Sequence, residues 1–92
     1  SGLVLDPAAH TVSAGNESVL LTPTEFRLLG ALASDAGSGV RRRALVQAGW
    51  PDGAPVHDNT LDSYLARLRR KLRGLGAEET IVTVRGVGYS LR

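Results

Sequence analysis

The chain has 92 residues, 42% of them hydrophobic, which allows one domain with a small core. It contains no cysteine, which excludes disulfides, thiolate metal sites and a cysteine nucleophile, and its two histidines, His10 and His57, lack metal-ligand spacing. No apolar run approaches the roughly 20 residues of a membrane span and no signal-peptide pattern appears, so we expect a cytoplasmic protein without membrane, metal or cofactor.

The positive charge is concentrated in one segment. The formal net charge is +2, yet residues 59–73 hold four arginines and one lysine against one aspartate, which leaves +4 there. Asp6 and Glu17 make residues 1–22 negative, and the other segments balance. A concentrated basic stretch is typical of an element that binds a polyanion. The alternative, for a charge run taken alone, is a solvated basic face on an ordinary helix.

The N-terminal part alternates short apolar runs with turn signals. Asp6-Pro7 is one such signal, and Gly15-Asn16 is typical of a tight hairpin turn. The runs between them predict three strands, at Leu3–Leu5, Thr11–Ser13 and Val19–Leu21. We therefore expect a small antiparallel sheet at this end of the chain.

Two helices are predicted next. Thr22 supplies a cap, Pro23 the first helical position and Glu25 the reciprocal capping partner, so the first helix begins sharply and runs to Gly37-Ser38-Gly39. A shorter helix is predicted from Arg42 to about Gly49, burying Leu45, Val46 and Trp50. The prolines and glycine between Trp50 and Asp58 predict a loop.

A third helix, from Asn59 to Arg73, is the most informative element. We expect Asp58 or Asn59 to cap it and Gly74 to end it. Its apolar residues recur at the helical period and predict one buried stripe, made of Leu61, Leu65, Leu68 and Leu72. At about 100° per residue the opposite face holds Ser63, Ala66, Arg67 and Arg70. Short residues that allow close approach, interleaved with arginines, are what a helix entering a DNA major groove needs.

The chain ends in a predicted hairpin, with strands at Ile81–Val84 and Tyr89–Leu91 around the turn Arg85-Gly86-Val87-Gly88. An N-terminal antiparallel sheet, three helices and a C-terminal β-hairpin make an α+β winged helix-turn-helix. Its connector of about nine residues is longer than the three- to four-residue turn of the simplest helix-turn-helix.

The sequence resembles the C-terminal DNA-binding domain of response regulators of the OmpR/PhoB type. Four stretches carry the resemblance, in order and at family spacing: Leu21–Leu29 (LTPTEFRLL), Trp50, Asn59–Leu72 and Thr83–Tyr89 (TVRGVGY). Each alone is weak, but together they are highly specific and cover essentially all 92 residues. The resemblance implies one winged-helix effector domain at residues 1–92, without its receiver domain.

The family implies further partners. Its members typically follow a phosphorylatable receiver domain, which a cognate histidine kinase serves, and they bind direct-repeat DNA sites as head-to-tail dimers to regulate transcription. In some members the loop between the second and third helices, here residues 50–58, contacts RNA polymerase. We expect a monomer in isolation, because the pattern leaves no large spare apolar patch.

The basic helix supplies most of the candidate DNA contacts. Arg67 matches a family position that faces the major groove and is expected to meet a guanine edge or a phosphate. Arg70 is expected on the backbone, and Ser63 and Ala66 close to the bases, where the alanine suits a thymine methyl. Asn59 and Thr60 are candidates for phosphates at the helix N-terminus, with helix capping the alternative for Asn59.

Two residues flank the apolar stripe. For Tyr64 we expect partial core packing with the hydroxyl at the surface, and a phosphate contact is the alternative. For Arg69 we expect an intramolecular ion pair or a protomer contact rather than a base.

The hairpin and the second helix supply the other candidates. Arg85, on a thin glycine-rich turn, suits a narrow minor groove, and Thr83 suits a phosphate. Arg42 and Arg43 begin the second helix, where cations oppose the helix dipole and Arg41 replaces the family's usual serine or threonine cap. We hypothesise that a DNA phosphate offsets this cost, so that the pair clamps the backbone.

Two other functions are alternatives to DNA binding. The first is a winged helix that docks RNA polymerase or another protein without reading DNA. It is favoured by Ala66 and Asn59, since many family members carry arginine at the first position and some carry it at the second. An enzyme has no support, because the sequence offers no nucleophile–base pair, metal cluster or carboxylate pair in a plausible cleft.

Overall fold

The computed structural model describes residues 2–92 and follows the predicted order of sheet, three helices and hairpin. The elements are β1 (Leu3–Asp6), β2 (Thr11–Ala14), β3 (Glu17–Leu20), α1 (Pro23–Ser34), β4 (Val40–Arg41), α2 (Arg42–Gly49), α3 (Asp58–Gly74), β5 (Ile81–Val84) and β6 (Gly88–Leu91). No helix among residues 2–92 is long and apolar enough to cross a bilayer.

The N-terminal strands form the predicted antiparallel sheet, in the order β1-β2-β3. Ala14 pairs with Glu17, so the β2–β3 hairpin turns through Gly15 and Asn16 alone. Gly15 has φ +60°, a left-handed conformation that favours glycine in such turns. Val12 on the central strand is fully buried, which fixes the face of the sheet that packs on the helices.

The start of α1 confirms the predicted capping box. The Thr22 side chain accepts a hydrogen bond from the Glu25 N–H at 3.1 Å, and the Glu25 carboxylate accepts one from the Thr22 N–H at 2.8 Å. Pro23 stands in the first turn, where its missing N–H costs nothing. Glu25 is fully buried, so this capping box places a carboxylate in the protein interior.

A short strand, β4, was not predicted. Val40 pairs with Tyr89 and Arg41 pairs with Gly88, so β4 adds a third strand to the C-terminal hairpin in the order β4-β6-β5. The approach is close, because a Cβ atom on Gly88 would lie 2.1 Å from the Val40 carbonyl oxygen. The strand ends where α2 begins, and the Arg41 cap makes no side-chain hydrogen bond, as its sequence predicts.

The predicted cap of α3 is wrong. The cap residue is His57, whose backbone is extended (φ −69°, ψ 149°), and Asp58 and Asn59 already lie in the first turn. The His57 carbonyl accepts the Thr60 N–H, and no side chain completes the cap. The Asp58 carboxylate lies instead 3.4 Å from the guanidinium of Arg42, so it favours this helix end through the dipole rather than by capping.

The predicted leucine stripe of α3 is confirmed. Its members are at most 1% exposed and comprise Leu61, Leu65, Leu68 and Leu72. They pack into one core with Leu28, Leu29 and Leu32 of α1. Leu45 of α2 is fully buried as predicted, whereas Val46 and Trp50 are half-buried. Burying the stripe fixes the rotation of α3 and leaves its opposite face to solvent.

Candidate nucleic-acid interface

Helix α3 carries most of the predicted contact residues, and four of them lie on its outer face, opposite the leucine stripe. Ser63, Arg67 and Arg70 are exposed there, and Ala66 between them is half-buried. At the N-terminal end of the helix Asn59 is exposed and Thr60 is half-buried. The helix therefore presents short side chains and two guanidinium groups on one surface, the combination that a groove-reading helix requires.

Arg67 does not project freely. Its guanidinium carbon lies 4.4 Å from the centre of the Tyr64 ring, one helical turn earlier, which is a cation–π contact. Tyr64 is half-buried, as predicted, and its ring meets the Trp50 ring edge to face, with centroids 5.2 Å apart and planes at 85°. An aromatic pair between α3 and the end of α2 thus supports the arginine.

Arg42 has a different position from the one predicted for a backbone clamp. Its guanidinium donates hydrogen bonds to the Asp62 carboxylate at 3.0 Å, to the Tyr89 hydroxyl at 3.0 Å and to the Asp58 carbonyl at 3.1 Å. The Tyr89 hydroxyl in turn donates to Asp62 at 2.5 Å. The network ties α2, α3 and the hairpin together, so these Arg42 donors are used inside the protein. Arg43 remains exposed.

This network shifts the pKa values of its members, among them Asp62 and Tyr89. The hydrogen bond from Tyr89 lowers the pKa of Asp62 below its ordinary value, and Arg42 adds to that effect against a smaller opposing effect of burial. Burial raises the pKa of Tyr89, and its hydrogen bond to Asp62 raises it further. Asp62 is therefore an ionised carboxylate at neutral pH, and the Arg42 charge that faces the α3 N-terminus is compensated.

The basic residues of α3 fall into two groups. Arg67, Arg70 and Arg73 are exposed, whereas Arg69 donates to the Ile81 carbonyl at 2.8 Å and Lys71 lies 2.7 Å from the Glu25 carboxylate. The intramolecular ion pair expected for Arg69 is not formed among residues 2–92, because its guanidinium is held by a backbone carbonyl instead. The charge count of residues 59–73 thus overstates the charge that the outer face offers.

The Glu25–Lys71 pair was missed by sequence analysis. The two residues lie 46 positions apart, and a lysine beside a leucine stripe ordinarily reaches solvent. Burial raises the pKa of Glu25, but the hydrogen bonds from Lys71 and Thr22 and the charge of Lys71 together lower it by more, so the net shift is downward. The second carboxylate oxygen has no hydrogen-bond partner among residues 2–92.

The hairpin forms a projecting tip. Arg85 and Gly86 are exposed in a turn where Gly86 has φ +75° and the Val87 N–H donates to the Val84 carbonyl at 3.0 Å. Thr83 is also exposed. Gly88, predicted as part of the turn, belongs to β6. The tip presents one guanidinium on a thin loop, which suits a narrow groove.

The chain matches the family described as "Transcriptional regulatory protein, C terminal" over residues 15–91. It belongs to this family. Among curated relatives, the phosphate regulon transcriptional regulatory protein PhoB of Escherichia coli is 39% identical over 88 residues, which cover 96% of this chain and 38% of PhoB. The chain therefore spans well under half the length of this relative.

Solved structures agree with the fold. The DNA-binding domain of the response regulator AdeR, solved in complex with an intercistronic region, superposes with a TM-score of 0.86 at 26% identity and covers 99% of this chain and 94% of its own. The DNA-binding domain of Klebsiella pneumoniae RstA, solved in complex with the RstA box, superposes with a TM-score of 0.76 at 33% identity. The match covers 98% of this chain and 90% of the RstA chain.

These matches confirm the winged-helix fold and the OmpR/PhoB-type family that the sequence predicts. The family is one of transcriptional regulators rather than enzymes. The AdeR and RstA structures are of DNA-binding domains in complex with DNA. The alternative of a module that docks proteins without reading DNA is therefore not favoured.

Proposed function

We propose that this chain is the DNA-binding output domain of a bacterial two-component response regulator, and that it binds double-stranded DNA with sequence specificity to regulate transcription. The observation that carries the proposal is the outer face of α3, where Ser63, Arg67 and Arg70 are exposed while the leucines of the opposite face are buried. Family membership supports it. The whole chain acts as one effector domain, and we assign it no catalytic activity.

In this proposal α3 lies in the major groove. Arg67 has the exposed, forked donors needed for a guanine edge, and Arg70 reaches the backbone. Ser63 and Ala66 let the helix approach the bases. Asn59 and Thr60 meet phosphates beside the helix N-terminus, where backbone N–H groups also point outward.

The hairpin and α2 complete the interface. Arg85 enters the adjacent minor groove and Thr83 bonds a phosphate. Arg43 contacts the backbone from the start of α2. Arg42 acts mainly through its internal hydrogen bonds, which fix α2 and the hairpin to the first turns of α3. The Tyr64 hydroxyl is a further candidate phosphate contact.

Further partners follow from the resemblance. The full-length protein carries a receiver domain that a cognate histidine kinase phosphorylates, and it acts in the cytoplasm, where bacterial DNA lies. Two copies bind tandem direct repeats head to tail. The loop at residues 50–58, whose residues 51–55 are all exposed, contacts RNA polymerase.

The test is selection of bound sequences from a random duplex pool, followed by titration of the selected and a scrambled duplex at several salt concentrations. We expect a tandem repeat preferred by at least ~10³-fold, and a slope of log affinity against log salt of roughly −3 to −6 per protomer. Arg67→Ala should lower affinity for the selected duplex. Arg73→Ala, which removes an exposed charge from the last turn of the same helix, is the control.

Two results would count against the proposal. Binding without any sequence preference would reduce the domain to a non-specific polyanion binder. Equal losses with Arg67→Ala and Arg73→Ala would mean that only net charge matters and that the outer face of α3 reads nothing.

A further inference from the structure

Three residues form a continuous stack from the end of α2 to the outer face of α3. Trp50 is the cap residue that ends α2, and its half-buried ring meets the Tyr64 ring edge to face. Tyr64 lies three positions before Arg67, and the Arg67 guanidinium sits over its ring at 4.4 Å. The two aromatic side chains are half-buried, and the arginine at the end of the series is exposed.

The contact with Tyr64 leaves the N–H donors of Arg67 available to a DNA base. A guanidinium attracted to an aromatic ring uses its flat face, while its N–H donors lie in its plane and point away from the ring. Those donors have no hydrogen-bond partner among residues 2–92, unlike those of Arg42 and Arg69. The side chain is thus held in one region of space with its edge available to a base.

Holding the arginine in advance matters because a free arginine samples many rotamers, and ordering it on binding costs conformational entropy. An arginine already held beside the groove-facing surface loses less freedom on binding. This advantage applies most where one geometry is required, at a bidentate base contact, and least at a phosphate, which tolerates several geometries.

We propose that Tyr64 is a positioning residue that holds Arg67 in its DNA-reading conformation, and that Trp50 positions Tyr64 from α2. The inference rests on the proposed function, in which Arg67 contacts a base. It assigns Tyr64 a role through its ring, which is separate from any phosphate contact of its hydroxyl. Sequence specificity then depends on the junction of α2 with its loop, through Trp50.

The test is a double-mutant cycle on the preference for the selected duplex over the scrambled one. Tyr64→Leu and Tyr64→Met remove the ring and keep an apolar side chain, and each should lower this preference by about 3- to 10-fold. Tyr64→Phe keeps the ring and should restore most of the loss. In an Arg67→Ala background, Tyr64→Leu should have no further effect on the preference.

The paired control is Tyr64→Leu in an Arg70→Ala background, where the two losses should multiply because Arg70 does not contact the ring. Trp50→Leu should lower the preference in the same direction as Tyr64→Leu, by a smaller factor. Melting temperatures identify any variant that loses its fold. If Tyr64→Leu does so, Tyr64→Met takes its place throughout the cycle.

A measurement without DNA checks the stack itself. In the free protein, the Arg67 side-chain protons should show upfield NMR shifts from the Tyr64 ring current, retained in Tyr64→Phe and lost in Tyr64→Leu. Absence of these shifts in the native protein would overturn the inference, as would an equal effect of Tyr64→Leu with and without Arg67.

The two failures are distinguishable. If Arg67→Ala lowers the preference and Tyr64→Leu does not, the positioning role is wrong and the proposed function stands. If the native domain shows no preference at all, the proposed function is wrong, and the positioning role falls with it.

Discussion

Replacing Lys71 with methionine should destabilise the domain by about 3 kcal/mol at pH 7. Methionine keeps the unbranched apolar stem of the side chain but lacks the ammonium group that lies 2.7 Å from the Glu25 carboxylate. That carboxylate is fully buried, and one of its oxygens has no hydrogen-bond partner among residues 2–92. The variant therefore leaves a buried charge compensated only by the Thr22 N–H and the capping threonine.

Two energies set the expected loss of stability: the cost of breaking a buried ion pair and the cost of protonating the carboxyl that remains. Removing one partner of a buried ion pair typically costs about 3–5 kcal/mol, and the Lys71 side chain is 29% exposed, which favours the lower end. The orphaned carboxyl can also take up a proton. At pH 7 that costs about 3.7 kcal/mol, since the ordinary glutamate pKa is about 4.3 and each pH unit contributes about 1.36 kcal/mol.

The same reasoning predicts a pH dependence. In the native chain the pKa of Glu25 is lowered, so its contribution is present above about pH 4.3 and is lost as the pH falls through the folded-state value. Without Lys71, burial is expected to raise the pKa of Glu25 above its unfolded value. The difference in free energy of unfolding between the variant and the native chain then decreases as the pH falls, and at pH 5 it should be about 1 kcal/mol.

Urea unfolding measures the loss of stability at pH 7 and at pH 5, with the fluorescence of Trp50, the one tryptophan in the chain, as the signal. Arg70→Met, which removes an exposed cation from the same helix, should cost less than about 0.5 kcal/mol. Adding Glu25→Gln to the Lys71 variant should recover most of the loss, because no buried charge remains. A loss below about 1 kcal/mol at pH 7, or one that is equal at both pH values, would refute the reasoning.

Three other predictions use the same unfolding assay or NMR. Thr22→Ala removes the side-chain half of the capping box and should cost about 1 kcal/mol. Gly88→Ala places a Cβ against the Val40 carbonyl oxygen and should cost at least about 2 kcal/mol, with shift changes centred on β4; a smaller loss would mean that β4 moves away freely. Tyr89→Phe removes the main cause of the lowered Asp62 pKa, so a carboxyl ¹³C titration should show that pKa rising; an unchanged value would contradict the network.

Local sequence patterns predicted the elements that place the interface. Each of these elements depends only on residues close in sequence, within one hairpin or about three helical turns. They are the capping box at Thr22 and Glu25, the glycine turn of the β2–β3 hairpin and the leucine stripe of α3. The stripe also predicted the outer face, because the burial of one side of a helix determines which side is left to solvent.

Contacts between distant residues were not predictable in this way. β4 has only two residues, and its pairing with β6 depends on the absence of a side chain at Gly88. The partners of Arg42 and Lys71 lie 16 to 51 positions away, so the local sequence does not reveal that these two cations are held inside the protein. The cap of α3 was misplaced for a related reason, since Asp58 is drawn to Arg42 rather than to its own helix end.

The central claim is that the outer face of α3 and the hairpin tip meet DNA. Titration of the ¹⁵N-labelled domain with its selected duplex tests this most directly, through the amide shifts of every residue. We predict the largest changes along residues 59–70 and 83–87, with Val4 and Leu20 on the exposed face of the N-terminal sheet little affected. Changes centred on the loop at residues 50–58 or on the N-terminal sheet, with α3 and the hairpin tip silent, would contradict the account.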